Sequence, residues 1–170
     1  MDAECTVRNT DKSTEPVLRG PKDSDTAMIM DSWLRSGLQY PIFASEVGRP
    51  PIRLRVPGTL LLSQSRTFLK SLIPSSQLLV LCDPTDNDHI MGWICYEQRY
   101  PVLLQHHQKN PCLHFLFIKF NFRRMGMGGR LLRESGLPES PDECEVSWRT
   151  PALNFFKTHN WVWNPYRSWI

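Results

Sequence analysis

The feature that most constrains the fold is a strand that runs into a glycine-rich turn and then a helix, between Cys112 and Leu132. Residues 112–119, CLHFLFIK, are almost wholly apolar, which predicts a strand with both faces covered. The segment RRMGMGGRLL follows at 123–132 and reads as a turn that opens a helix. Glycines let the backbone approach a phosphate, and the N–H groups of a helix N-terminus favour negative charge. The segment therefore predicts an anion-binding site.

Two familiar phosphate-binding loops do not fit this turn. The P-loop pattern G-x-x-x-x-G-K-[ST] is absent from the chain. The dinucleotide pattern G-x-G-x-x-G requires a third glycine where the chain has Leu131, and the strand comes too late in a short chain to begin a Rossmann unit. The sequence therefore predicts neither a P-loop nor a Rossmann dinucleotide-binding loop at this turn.

Hydrophobic periodicity predicts mixed helices and strands along the rest of the chain. Cap-type residues at 23–25 precede a helix that is expected to end at Gly37, and a second helix is expected from Gly58 to Ile73, ended by Pro74. Strands are predicted at 16–19, 77–82, 89–98, 112–119, 143–148 and from 161 onward, and a further helix at 151–159. Because strands and helices intermix, the predicted fold class is α/β or α+β.

The composition is that of an ordinary globular chain. Its 170 residues predict a single domain over 16–170, preceded by a mobile tail over 1–15. No apolar run approaches the roughly 18 residues of a membrane span, and the N-terminus is polar, so we expect no membrane segment and a cytoplasmic location. The five cysteines are scattered without a C-x-x-C pair, which predicts buried, reduced thiols and no metal site.

The turn at 123–128 has the pattern R-x-x-G-x-G, formed by Arg123, Gly126 and Gly128. With the strand residues Leu116 and Ile118 ahead of it, this segment resembles the acetyl-CoA motif of the GNAT-type N-acetyltransferases. In that family a strand of pattern L-x-V leads into such a turn after a few residues.

Two further segments agree with that resemblance. The segment PALNFFKTHNW at 151–161 is similar to the family's later pattern A-x-x-F-Y-x-x-x-G-F, with Asn160 in place of the glycine. The predicted hairpin ahead of the glycine-rich turn lies where the family has its central hairpin, with Gly92 in a matching context. The SWLRS helix and the LHFLFIK strand also look like those of short GNAT-like proteins encoded by phages and prophages.

The resemblance implies a GNAT-like fold, a mixed and mostly antiparallel central sheet that is flanked by helices and splays open at the acetyl-CoA site. Pantetheine would pair with the backbone of residues 116–118, and the pyrophosphate would rest on N–H groups of residues 124–129. The cofactor-binding residues so implied are Leu116, Phe117, Ile118, Arg123, Arg124, Met125, Gly126, Met127, Gly128 and Gly129. In this family an amine attacks the thioester directly while a base takes its proton and an acid protonates the thiolate.

His114 and Glu145 are the predicted catalytic residues. His114 lies two residues before Leu116, so strand alternation predicts that both side chains share a face, and a neutral imidazole can accept an amine proton directly or through water. The alternative is a core histidine with satisfied hydrogen bonds. Glu145 is the second candidate base, with Glu143 beside it, and the alternative for both is a solvated strand face.

The family's usual general acid, the tyrosine of the F-Y pair, is replaced here by Phe156. Tyr166 or Cys144 could take its place, although nothing in the sequence brings either near the thiolate. A thiolate can leave unassisted, so the loss slows transfer by the ~10²–10⁴-fold that general acid catalysis supplies, without forbidding it.

The predicted function is acetyl transfer from acetyl-CoA to a primary amine of an unidentified acceptor. The alternative is a catalytically weak or inactive GNAT-like module of the phage-associated kind, which binds CoA or acts as a structural or interaction protein. Trp33 and Tyr40 could line the acceptor pocket, although Trp33 also fits a core position. The basic residues Arg53, Arg55, Arg66 and Lys70 raise a weaker idea of nucleic-acid binding, which a net charge of +3 argues against. The terminal strand could pair within one chain or between two chains, so a homodimer is also compatible with the sequence.

Overall fold

A computed structural model describes residues 15–39, 58–98, 110–138, 144–147 and 161–163. Several predicted features lie outside these residues. They are the tail before Glu15, the loop with Tyr40, Arg53 and Arg55, the helix at 151–159 with Phe156, and the residues Glu143, Asn160 and Tyr166. Among the described residues, no helix combines the length and apolar character that a bilayer crossing needs.

The described strands form one six-stranded sheet whose spatial order follows the chain. The strands are β1 (Val17–Arg19), β2 (Gln77–Cys82), β3 (Ile90–Glu97), β4 (Cys112–Ile118), β5 (Glu145–Val146) and β6 (Val162–Trp163). Pairing is antiparallel from β1 through β4, and parallel between β4 and β5 and between β5 and β6. The helices are α1 (Thr26–Gln39), α2 (Gly58–Ser75) and α3 (Met127–Ser135), with short 3-10 turns at Asp23–Asp25 and Phe120–Phe122. The predicted α/β class and its mixed, mostly antiparallel sheet are confirmed.

The predicted helix ends need correction. The first helix runs through Gly37 to Gln39, because a glycine inside a helix costs only about 1 kcal/mol and does not by itself stop it. The second helix includes Pro74 and ends at Ser75, one residue after the proline. The strand expected at 143–148 is formed by Glu145–Val146 within the four residues described there.

The core has two layers, one on each face of the sheet. Helices α1 and α2 cover one face, where Trp33 stacks on Phe115 with ring centroids 4.8 Å apart and lies 5.5 Å from Trp93. Helix α3 covers the other face, where Met127 and Leu131 join a second apolar cluster. Trp33 is therefore a core residue. Each fully buried side chain of this size contributes about 1.5–3 kcal/mol.

The thiols follow the expectation of core packing. Cys82, Cys95, Cys112 and Cys144 are all buried. Burial raises the pKa of the Cys95 thiol well above its usual value, which keeps that sulfur protonated and unreactive.

An ion pair ties the start of α1 to the sheet. Arg19 on β1 donates to both carboxylate oxygens of Asp25 at 2.6 and 3.1 Å, and it also donates to the carbonyl of Asn87 in the β2–β3 turn. The N–H of Lys22 donates to the same carboxylate at 2.7 Å. Hydrogen bonds from Arg19 lower the pKa of the Asp25 carboxyl, against the opposing effect of its burial.

Strands β3 and β4 approach closely at Gly92. A Cβ added there would lie 2.5 Å from Ile118 Cδ1 and 2.7 Å from the carbonyl oxygen of Phe117. The second neighbour is backbone and cannot rotate away. The pairing of these two strands therefore requires a glycine at this position.

We predict that Gly92→Ala lowers the free energy of unfolding by about 1–3 kcal/mol, the usual range for overpacking a tight site. Chemical denaturation measures the loss. Gly20→Ala is the matched control, because an added Cβ there meets nothing within 4 Å. Equal stability of Gly92→Ala and the wild type would contradict the close approach.

We also predict that the Arg19–Asp25 pair makes stability depend on acidity. A carboxyl with a lowered folded-state pKa contributes stability that is present above its unfolded pKa, about 3.9, and is lost as the pH falls through the folded value. Asp25→Asn should lower the free energy of unfolding by about 2 kcal/mol at pH 7 and flatten its dependence below about pH 4. Denaturation from pH 7 to pH 2 tests this, with the exposed Asp23→Asn as control. A parallel loss of stability in wild type and Asp25→Asn would refute it.

Candidate functional site

Among the described residues, one edge of β4 is paired over only part of its length. β5 matches Cys112 and Leu113 in register, and the N–H of Ser147 donates to the Leu113 carbonyl at 3.1 Å. No described strand continues along β4 beyond that point. We refer to this part of β4, within the described residues, as the open edge.

Backbone alternation decides which groups face the opening. The N–H of Lys119 donates to the Met91 carbonyl at 2.9 Å, so Lys119 faces β3. Since successive strand residues point to opposite sides, Phe117 also faces β3, whereas Leu116 and Ile118 direct their backbone groups to the open edge. Of the three residues expected to pair with pantetheine, two therefore offer their backbone there.

The glycine turn (residues 123–128) connects this edge to α3. Arg123 donates from Nε to the Ile118 carbonyl at 3.0 Å, and its guanidinium lies 5.6 Å from the centre of the Phe120 ring. Arg124 and Gly126 both have a positive φ, of 65° and 76°. Arg123 therefore holds the turn against β4, and it occupies one of the acceptors that the open edge would otherwise present.

The turn delivers the N-terminus of α3 beside the open edge. The N–H of Arg130 donates to the Gly126 carbonyl at 3.0 Å, which begins the helical pattern. The N–H groups of the preceding three residues have no acceptor within the helix, and the N-cap residue, Gly126, has no side chain with which to cap them. A Cβ on Gly126 would meet nothing within 4 Å, so the turn borders open space. Free N–H groups and a helix dipole directed at open space can bind an anion.

Helix α3 is fixed by its apolar side. Met127 and Leu131 are buried in the same cluster as Leu116 of β4. Gly128 lies above that strand, where an added Cβ would make ordinary contacts with Leu116 Cδ2 at 3.6 Å. The free end of the helix is thus held in a set position relative to the open edge.

His114 occupies a bulge in β4. Cys95 pairs with Phe115 and Tyr96 pairs with Leu113, so His114 is an extra residue without a partner of its own on β3. The prediction that His114 shares a face with Leu116 is wrong, because the bulge shifts the alternation. Leu113 and Leu116 pack in the α3-side core, whereas Phe115, which follows the bulge, packs on the face of α1 and α2.

Polar groups surround the buried imidazole. His114 has no exposed surface, and its Nδ1 lies 2.8 Å from Ser147 Oγ and 3.9 Å from Cys112 Sγ. Its Nε2 lies 3.2 Å from Glu97 Oε1, an ion-pair distance that is not directed as a hydrogen bond. We refer to Glu97, Cys112, His114 and Ser147 as the His114 cluster.

The second predicted base lies next to this cluster. Glu145 is half-buried and stands opposite Cys112 in the β4–β5 register, as Glu97 does in the β3–β4 register. Cys144, proposed from the sequence as a substitute acid, packs in the α3-side core instead. The described residues contain no group of three His, Cys, Asp or Glu side chains that could hold a metal ion.

Sequence reasoning missed Ser147 and Glu97. Glu97 could have been found by aligning the hairpin strands with β4, since it pairs with Cys112. Ser147 carries no recognisable signal. Its contact with His114 depends on the bulge and on where β5 leaves β4, and neither is written in the hydrophobic pattern.

The sequence matches no protein-family model, and no curated protein is similar to it. Solved structures do resemble the fold. A protein from Pyrococcus furiosus that is described as an acetyl transferase superposes with a TM-score of 0.55 at 14% identity, over 86% of this chain and 93% of that one. A protein from Clostridium difficile 630 that is described as an acetyltransferase gives 0.50 at 12% identity, over 87% of this chain and 91% of the other.

A third structure, a GNAT family acetyltransferase from Brucella melitensis in complex with acetyl-CoA, gives a TM-score of 0.47 at 15% identity, over 85% of this chain and 82% of that one. At these identities the likeness establishes a fold and no more.

We predict opposite effects of adding a methyl group at two glycines of the turn. Gly126→Ala forces an L-residue into the left-handed region and should lower the free energy of unfolding by about 1–2 kcal/mol. Gly128→Ala meets only ordinary contacts within α3 and should be neutral or stabilising, by up to about 1 kcal/mol. Thermal and chemical denaturation of the two variants side by side measure the difference. Equal effects would contradict the backbone geometry of the turn.

Proposed function

Because the chain has the fold of the GNAT-type acetyltransferases, we propose that it transfers the acetyl group of acetyl-CoA to a primary amine by direct attack. The observation that carries the proposal is the open edge of β4, which leads through the glycine turn to the uncapped N-terminus of α3. An extended amide chain and a pyrophosphate are the two ligand parts that such an arrangement suits.

The pyrophosphate is proposed to bind at the start of α3. The N–H groups of residues 127–129 lack helical acceptors, and the helix N-terminus carries about half a positive charge. Arg124 and Arg130 add formal charge on either side of the turn. Since Arg123 Nε is engaged with the Ile118 carbonyl, its proposed part is to keep the turn in place.

The pantetheine arm is proposed to lie along the open edge of β4. Leu116 directs both its N–H and its carbonyl there, and an amide of the ligand could pair with them as a strand does. The thioester end would then reach toward the point where β5 leaves β4, next to His114 and Glu145. These two are the proposed bases.

The proposed site has no assigned general acid to protonate the leaving thiolate. The residue proposed to replace the family's tyrosine is Phe156, which has no proton to give, so the thiolate would leave without help. We also propose a cytoplasmic location, because acetyl transfer of this kind and cysteines that are scattered in the sequence and buried in the core suit a reducing compartment.

A second function is favoured by two specific observations. Phe156 lacks a proton to donate, and His114 has no exposed surface with which to contact an amine. Both suit a GNAT-like module that binds CoA as a ligand, or serves as a structural or interaction protein. The two functions differ in one measurement, since only the enzyme consumes acetyl-CoA when amines are supplied.

We predict micromolar binding of acetyl-CoA and CoA by the wild type, measured by isothermal titration calorimetry. The double variant Arg123→Ala/Gly126→Trp should lose most of this binding, because it frees the turn from β4 and fills the space in front of the helix N-terminus. Lys70→Ala, an exposed residue of α2 on the opposite face of the sheet, also removes one positive charge; it is the control and should bind as the wild type does.

Circular dichroism and thermal unfolding establish that the double variant is folded. A folded wild type that binds neither ligand would overturn the enzymatic proposal and the CoA-binding alternative together. Retained affinity in a folded double variant would place the ligand elsewhere on the protein.

A further inference from the structure

The buried position of His114 creates a problem for its proposed role as a base. The imidazole has 0% relative exposure, so an amine cannot contact it directly. Each of its two nitrogens nevertheless lies next to a side-chain oxygen. Ser147, a buried residue at 6% relative exposure, lies 2.8 Å from Nδ1, and the Glu97 side chain, at 24%, lies 3.2 Å from Nε2. His114 therefore links the Ser147 hydroxyl to the partly exposed Glu97 carboxylate.

Ser147 stands at the point where the sheet opens. Its N–H donates to the Leu113 carbonyl, and this is the last contact between β5 and β4 among the described residues. Beyond Leu113, no described strand pairs with this edge of β4. The Ser147 hydroxyl is thus the polar group of the His114 cluster that lies nearest the proposed path of the thioester.

We propose that the Ser147 hydroxyl relays the proton of the attacking amine to His114, and that Glu97 stabilises the imidazolium so formed. This inference rests on the proposed acetyl transfer. An N–H bond of the amine breaks and its proton passes to Ser147 Oγ, while the hydroxyl proton of Ser147 passes to His114 Nδ1. The electron pair of the broken N–H bond stays on the amine nitrogen, which forms a C–N bond to the acetyl carbonyl carbon. The C–S bond of the thioester then breaks, and CoA leaves as a thiolate that carries the electron pair of that bond. Serine is unchanged, and one proton has moved from the amine to the imidazole.

The relay requires one tautomer of neutral His114. Nδ1 must be free to accept from the Ser147 hydroxyl, so the ring proton resides on Nε2 and faces the Glu97 carboxylate. The other groups that face the ring are Cys112, whose Sγ is 3.9 Å from Nδ1, and Glu145, opposite Cys112 on β5. Glu97 acts through His114 and is a positioning residue.

The kinetic test compares Ser147→Ala with Ser147→Thr, which keeps the hydroxyl. Acetyl-CoA consumption is followed with a panel of amine probes: spermidine, a lysine-containing peptide, an aminosugar and an arylalkylamine. Ser147→Ala should reduce kcat by about 10²–10⁴-fold, the usual contribution of proton transfer, with the KM for acetyl-CoA and the affinity for CoA unchanged. Ser147→Thr should retain most of the activity. A purely structural role would instead move stability and CoA affinity together.

A second measurement does not depend on activity. Nitrogen-15 spectra of histidine-labelled wild type report the tautomer of His114, assigned by elimination with each of the other four histidines replaced by Gln. We expect the Nε2–H tautomer at neutral His114. The Nδ1–H tautomer overturns the relay, because the ring would then donate to Ser147 rather than accept from it. If the Ser147 variants fail to fold, this measurement decides the question.

The failures of the two proposals are distinguishable. A wild type that transfers acetyl groups, with an equally active Ser147→Ala, overturns the relay and leaves the acetyltransferase function standing. A folded wild type that transfers to none of the probes overturns the relay together with the transfer reaction, and the binding data then decide whether CoA is still a ligand. Slow Ser147→Ala, active Ser147→Thr and the Nε2–H tautomer together support the relay.

Discussion

The pairing of β3 with β4 is the constraint on which the rest of the structure depends. It brings two backbones so close at Gly92 that no Cβ fits between them, and it also contains the bulge at His114. Because β3 anchors β4 from one side, the opposite edge of β4 can remain partly unpaired without loss of the strand. The open edge is therefore a consequence of where the sheet is strongly paired, and the glycine turn and α3 are built outward from its end.

Apolar contacts position helix α3, whereas the polar contacts of the sheet are concentrated around His114. The α3 face supplies apolar contacts that hold the helix N-terminus beside the open edge. The bulge places the His114 cluster among polar side chains instead of in that apolar layer, and a buried imidazole is tolerated there because Ser147 lies within hydrogen-bonding distance.

This division bears on the two functions considered for the chain. In the proposed functions, ligand binding would depend on the glycine turn and the edge of β4, both of which lie in the described residues. Catalysis would depend on moving a proton to a buried cluster and on an acid that, by the family resemblance, is replaced by Phe156. The two capacities are physically separable, so a chain of this kind could keep the first and lose the second.

Local chemistry determined what the sequence predicted well. The apolar run of β4, the glycines of the turn and the helix after them are short-range patterns, and each folded as expected. Tertiary structure decided the features that these local patterns do not determine. Strict alternation put His114 beside Leu116, but a one-residue bulge is set by the fit of two strands and leaves no mark in hydrophobic periodicity. Ser147 and His114 are 33 residues apart in the chain, and only the packed sheet brings them within hydrogen-bonding distance. The bond from Arg123 to Ile118 spans five residues and depends on the conformation of the turn between them.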